Sequence, residues 1–228
     1  MIYFFADNHF GQHPASVLMA EFPETLRARI RFFEDRWEEL EAGDWVRDCD
    51  LLILNMIGGT GGQPHAGTGA ERAVRAYLES GKPMLLLHGS SAAFWQWDWW
   101  RPLAGLRWVR PGDPDNVDTS THPHTPCRID VAKSRHPLIS RLKPIELPLD
   151  EVYINLEQTA PIFVLMTTLI AEGTFPQCCE AQSPWGGRIV SFIPGHKPEC
   201  VRTPELVEDV VSIIDWLCPS NRSVPPRR

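Results

Sequence analysis

The chain has 228 residues, is 43% apolar and carries a net charge of −7. That suits a single globular core with or without an excursion, and an acidic chain with no basic stripe excludes nucleic acid and anionic membranes as expected partners. No apolar run is long enough for a membrane span or a signal peptide, so the expectation is a cytoplasmic protein.

The first segment alternates strands and helices. "IYFFA" (Ile2–Ala6) reads as a buried strand. "HPASVLMAEFPETLRA" comes next with helical spacing, Pro14 in a favourable first turn and Pro23 as a break. "RIRFFED" (Arg29–Asp35) is taken as a second strand and "RWEELEAGDWVRDC" as its helix. "DLLILNMIGG" (Asp50–Gly59) is a strand ending in glycine. "GTGAERAVRAYLESGKP" is a helix with Thr68 as cap and Gly81 as stop, and "PMLLLH" is the next strand. Strands that are apolar throughout, separated by helices, imply a parallel sheet covered on both faces.

After Trp100 the style changes. "VRPGDPDNVDTSTHPHTP" is a polar loop. "CRIDVA", "IELPL", "VYINL", "IFVLMTTLI" and "CCEAQ" read as short strands. "GRIVSFIPG" is an apolar strand, and "TPELVEDVVSIIDWL" is a closing amphipathic helix capped by Thr203. The expected fold is α/β: flavodoxin-like and doubly wound, with a mostly parallel sheet, helices on both faces and extra short strands in the second half. Residues 1–218 make one domain, and residues 219–228 are expected to lack order. The six cysteines form no Cys-x-x-Cys pair and are expected to be free thiols.

Ligands of an open parallel sheet bind beyond the carboxyl ends of its strands. Asp7, Asn8 and His9 lie after the first strand, and Asp35 after the second. Asn55 and Gly58, Gly59, Gly61 and Gly62 lie at the end of the third, His88, Ser90 and Ser91 at the end of the fourth, and Gly195 and His196 beyond the late strand. Three histidines (His9, His88, His196) thus fall on one rim. "GGTGGQ" lacks the spacing of either phosphate-binding glycine motif and reads as a flexible loop. His122-Pro123-His124 is either a metal-binding pair or a chance of loop composition. Trp95 and Trp99 share a face at helical spacing, which favours core packing over a sugar-stacking wall. Asp150-Glu151 puts two carboxylates on opposite faces of an extended segment, so at most one faces a site. In the frame Leu86-Leu87-His88-Gly89-Ser90, the apex of a nucleophile elbow is His88 and not a serine, which disfavours a serine hydrolase.

Four segments in order resemble the ThuA-like family, associated with trehalose utilisation, whose fold is similar to class I glutamine amidotransferases. They are "GKPMLLLHGSSAAFWQWDWWRPLAGLRW", "SRHPLISRL", "LPLDEVYIN" and "WGGRIVSFIPGHKPECVRTPELVEDVVSIIDWL". The first includes the family's aromatic helix. The resemblance implies that His88 stands where amidotransferases keep their cysteine, so glutaminase chemistry is not expected. It puts recurrent polar residues at His88, Asp150, Glu151, Tyr153 and His196, with His122 as a mid-chain match. "QCCEAQSP" departs from the family pattern.

The combined expectation is a protein of carbohydrate metabolism acting on a sugar or keto-sugar by acid–base or metal-assisted isomerisation, elimination or hydrolysis. His88, Glu151 and His196 are the catalytic candidates. His9, Asn55, Ser90, Trp95, Asp150 and Tyr153 are the substrate-binding candidates. A divalent metal such as zinc is the candidate cofactor, with His9, His88, His122 and His196 as candidate ligands. The partner is a small sugar derivative, and a homodimer is the default for this sheet type. The alternative is a non-catalytic sugar-binding or partner module.

Overall fold

The computed structural model describes residues 1–8, 11–113 and 117–219. His9 and residues 220–228 of the expected tail lie outside the described residues.

β1 (Ile2–Ala6) is buried along its whole length, and its side chains alternate between two cores. Ile2 and Phe4 join one core, and Tyr3 and Phe5 the other. β3 (Leu51–Asn55) and β4 (Met84–Leu87) repeat this division, which is why they are apolar at nearly every position. α1 (Pro14–Glu21), α2 (Glu24–Arg27), α6 (Pro198–Val201) and α7 (Pro204–Leu217) cover the first face. α3 (Trp37–Ala42), α4 (Trp45–Asp48) and α5 (Thr68–Glu79) cover the second. β2 (Ile30–Glu34) lies at the edge, and Pro14, Pro23, Gly43 and Gly81 punctuate the chain.

β11 (Arg188–Phe192) pairs beside β4 and completes a parallel half of five strands. The other half is antiparallel and consists of β10 (Gly173–Gln182), β9 (Ile162–Ile170), β6 (His124–Val131) and β7 (Ile145–Glu151). Together they form one nine-stranded sheet in the order β2-β1-β3-β4-β11-β10-β9-β6-β7. The sheet is therefore mixed, where a mostly parallel one was expected. Its second half uses short connections, such as the two-residue turn Ala171-Glu172 between β9 and β10, which leave no room for crossover helices. A small ribbon pairs β5 (Leu106–Arg107) with β8 (Glu157–Gln158).

Three local expectations change. "VYINL" is not a strand: only Ile154 makes a bridge, to Thr121, and Asn155 turns the chain at φ 57°. The tryptophan stretch is not an α-helix, because His88 (φ 45°) and Phe94 (φ 51°) interrupt it, and it proceeds through tighter turns. Those turns bury Trp97 and Trp100 against Phe94, while Trp95 is 39% exposed and Trp99 half-buried, so the Trp95–Trp99 core pair does not form. Gly67, not Thr68, occupies the cap position of α5, and neither Thr68 nor Thr203 makes a capping side-chain bond. All six cysteines are free.

Candidate functional site

The site grows from the ends of two adjacent parallel strands. β4 stops at His88, whose left-handed backbone (φ 45°) is costly for a residue with a Cβ. The turn is held from behind by Ser90, whose hydroxyl donates to the Leu54 carbonyl (2.8 Å) and accepts from the Met56 amide (2.9 Å). Ser90 is completely buried and does not line the cleft, so its expected substrate contact is replaced by a structural one. β11 leads into Ile193-Pro194-Gly195-His196. Gly195 sits at φ 106° with Val201 2.8 Å from where a Cβ would stand, so this turn has no room for a side chain.

Asp150 locks that turn: its two oxygens accept from the amides of Gly195 (2.7 Å) and His196 (3.0 Å). Asp150 is 1% exposed and is absent from the cleft lining, where it was expected as a substrate-binding residue; it holds the backbone of His196 instead. Glu151, the next residue, points to the other side of β7 and into the site, as the alternation of a strand requires. The pair is not solvated; both are buried.

His88 Nδ1 lies 2.8 Å from the Ile193 carbonyl, which only accepts, so Nδ1 carries the proton and Nε2 faces the site. Nε2 meets His196 Nδ1 at 3.0 Å, the Tyr153 hydroxyl at 3.1 Å and Glu151 Oε2 at 3.5 Å. Glu151 Oε1 lies 3.5 Å from His196 Nε2, 3.4 Å from His122 Nδ1 and 3.3 Å from His124 Nε2. His124 is the direct cross-strand partner of Glu151 in the β6–β7 ladder, and His122 lies two residues before it.

Burial works against a charge on His88, but the bond to Glu151 and the charges of Asp150 and Glu151 outweigh it and raise its pKa above the usual value. Burial also favours the neutral acid at Glu151, yet the bond to His88 and the nearby His88, His196 and His122 hold its pKa at about 2. Burial, then Glu151 and Asp150, push the Tyr153 hydroxyl well above its ordinary range, so it stays a donor.

These groups line a cleft of about 380 Å³. Trp108 packs edge-on against Tyr153 (4.7 Å between centroids) and forms a wall. Arg110 also lines the cleft. It donates to Thr60 Oγ1 (2.9 Å) and the Ala92 carbonyl (3.2 Å), lies over Trp95, and forms no ion pair with any described residue. Trp95 therefore supports Arg110 from outside the cleft and is not a wall of it. Gln12, Ile57 and Thr60 also line the cleft. The loop of Ile57 and Thr60 is pinned by Asp7, which accepts from the amides of Ile57 (2.9 Å) and Gly58 (2.8 Å), and Gly58, Gly59, Gly61 and Gly62 all adopt positive φ. Asn55 is 2% exposed and does not line the cleft.

The structure thus unites His88, Glu151, His196, Tyr153 and His122. It removes Asn55, Ser90, Trp95 and Asp150 from direct contact. Trp108, Arg110, Gln12, Ile57 and Thr60 were not singled out from the sequence, and His124 was noted but not chosen as a candidate ligand. For His124 a signal existed, because alternate residues of an extended segment share a face. Two groups of metal-ligating atoms meet at Glu151: His88–Glu151–His196 and His122–His124–Glu151, each within 4.8 Å. No cysteine lines the cleft, and burial pushes the thiols of Cys127 and Cys200 up to about 11 and about 12.

The model of the family ThuA, described as trehalose utilisation, matches residues 8–217. The chain belongs to the ThuA family. Among solved structures, a ThuA-like protein from Parabacteroides merdae aligns over 95% of this chain and 89% of its own, at 15% identity and a TM-score of 0.72. A ThuA-like protein from Bacteroides uniformis aligns over 97% and 93%, at 15% identity and 0.67. A β-galactosidase from Rahnella sp. R3 matches 94% of this chain with only 31% of its own, at 11% identity and 0.54. At these identities the structures share the α/β fold with this ThuA-family chain, and no curated protein matches it. No helix among the described residues is long and apolar enough to cross a membrane.

Proposed function

We propose that this ThuA-family protein acts on a sugar or keto-sugar derivative by moving a proton at a carbon beside a carbonyl. Isomerisation and elimination both use such a step, and hydrolysis of a keto-glycoside can proceed from it. One observation carries the reading: His88, at a strained strand end, has its Nε2 within 3.0–3.5 Å of His196, Tyr153 and Glu151 at the edge of a cleft of about 380 Å³. Strained backbone and convergent buried titratable groups concentrate at functional sites.

The bonds support the following roles. The Ile193 carbonyl fixes the tautomer of His88 and leaves Nε2 to take or return the proton. Glu151 stays the anion that supports it. His196 and the Tyr153 hydroxyl are placed to stabilise negative charge developing on a substrate oxygen. Arg110, a cation with no ion-pair partner among the described residues, and Trp108 would hold the hydroxyl-rich body of a sugar. A metal held by histidines and Glu151 would polarise the same carbonyl.

The test is incubation of the protein with a panel of keto-disaccharides and keto-glycosides in D2O, then NMR. Deuterium beside the carbonyl, or a rearranged product, supports the reading. Saturable sugar binding with neither outcome, with and without added divalent metal, would replace it with a non-catalytic sugar-binding module, which the Trp108 wall and the absence of a cysteine from the cleft would then explain.

A further inference from the structure

We infer that His122, His124 and Glu151 form a binding site for one divalent transition-metal ion of the zinc type. The inference rests on the proposed function only for what the ion would polarise; the binding itself does not depend on it.

The first argument is distance. Glu151 Oε1 stands 3.3 Å from His124 Nε2, 3.4 Å from His122 Nδ1 and 3.5 Å from His196 Nε2. Charge-assisted hydrogen bonds are shorter, about 2.7–2.9 Å. Two ligands bound at about 2.0–2.1 Å to one tetrahedral ion stand about 3.3–3.4 Å apart. His122 Nδ1, His124 Nε2 and Glu151 Oε1 thus stand at the spacing of ligands to a shared ion and not at that of direct bonds, and the ligand atoms of these three residues lie within 4.8 Å of one another.

The second argument is the setting. Glu151 is 8% exposed, whereas the side chains of His122 and His124 are 44% and 46% exposed at the mouth. An ion can enter from solvent and remain open to the cleft. Imidazole nitrogens with one carboxylate suit zinc, cobalt, nickel or manganese, whereas magnesium and calcium favour oxygen ligands throughout.

The test uses the full chain after chelator treatment, titrated with Zn²⁺ by calorimetry and with Co²⁺ by visible absorption, without substrate. The expected result is one ion per chain and a Co²⁺ spectrum of a low-coordinate site. His122→Ala and His124→Ala should each weaken binding by about tenfold or more. Both side chains are half in solvent, so the fold should survive, which circular dichroism checks. His65→Ala, an exposed histidine outside the cluster, should bind as the wild type does. Absence of saturable binding, or binding that survives both substitutions, overturns the inference. Keto-sugar turnover persisting in a chain that binds no metal would overturn it and leave the acid–base reading standing. Metal binding as expected with no turnover would sustain it and overturn the acid–base reading.

Discussion

Asp150→Asn gives a direct measure of how the site is held. The wild-type carboxylate accepts two buried amide hydrogens, from Gly195 at 2.7 Å and His196 at 3.0 Å. A hydrogen bond to a charged group contributes about 1.5–3 kcal/mol, and a buried donor left unpaired costs about 1–3 kcal/mol. Asparagine keeps one acceptor and turns an NH2 group toward the other amide. One bond weakens from charged to neutral, and the second becomes a clash of donors. The expected loss is about 3 kcal/mol, a large part of a typical stability of about 5–15 kcal/mol. The assay is urea denaturation at neutral pH, with the histidine ring nitrogens monitored by NMR. The midpoint should fall at constant slope, and the His196 signals should lose their coupling to His88. An unchanged midpoint together with unchanged His196 signals would refute the idea that Asp150 sets the position of the Gly195-His196 turn.

Asp209 supplies a pH test far from the cleft. It is fully buried on α7, one oxygen accepts from the Lys143 amide, and the other has no hydrogen-bond partner among the described residues. Burial raises its pKa from 3.8 to about 7, against the Lys143 amide and charge and with help from Glu208 and Glu205. The folded state therefore holds this proton more tightly than the unfolded state. The contribution is complete below about pH 4 and is lost as pH rises to about 7, a difference of roughly 4 kcal/mol at about 1.4 kcal/mol per pH unit. Asp209→Asn should compare better with wild type at pH 8 than at pH 4.5; an equal difference at both pH values would exclude the shift. Ser90→Ala should lower stability by about 2–4 kcal/mol, because it unpairs the Leu54 carbonyl and the Met56 amide. A Ser90→Ala chain of full stability but no turnover would instead identify Ser90 as a nucleophile.

Much of the parallel half was legible in the sequence, because strands buried on both faces are apolar throughout and Gly81 marks where a helix ends; the single helix expected over Arg36–Cys49 is instead split by Gly43 at φ 74° into α3 and α4. The antiparallel half was legible as strands but not as a sheet order: β9, β10 and β11 follow one another through short turns, but nothing local says that β11 also flanks β4 or that β6 flanks β9. His88 and His196 could be placed because each stands just beyond the carboxyl end of an apolar strand, and Glu151 because it alternates with Asp150 along an extended segment. Trp108, Arg110 and Thr60 could not, because they reach the cleft from loops whose paths depend on tertiary contacts. The spacing of the tryptophans suggests a helical period, whereas two residues at positive φ, His88 and Phe94, impose tighter turns. Ser90 and Asn55 sit at strand ends as the site residues do, but their side chains turn into the protein and not into the cleft.

The central claim is that His88 and His196 work on a keto-sugar within one cluster. Its most direct test is the turnover of the best keto-sugar substrate by His88→Ala and His196→Ala, each shown to be folded. Each should fall by about 10²-fold or more, the usual contribution of a positioned acid or base. Full turnover in both variants would contradict the account.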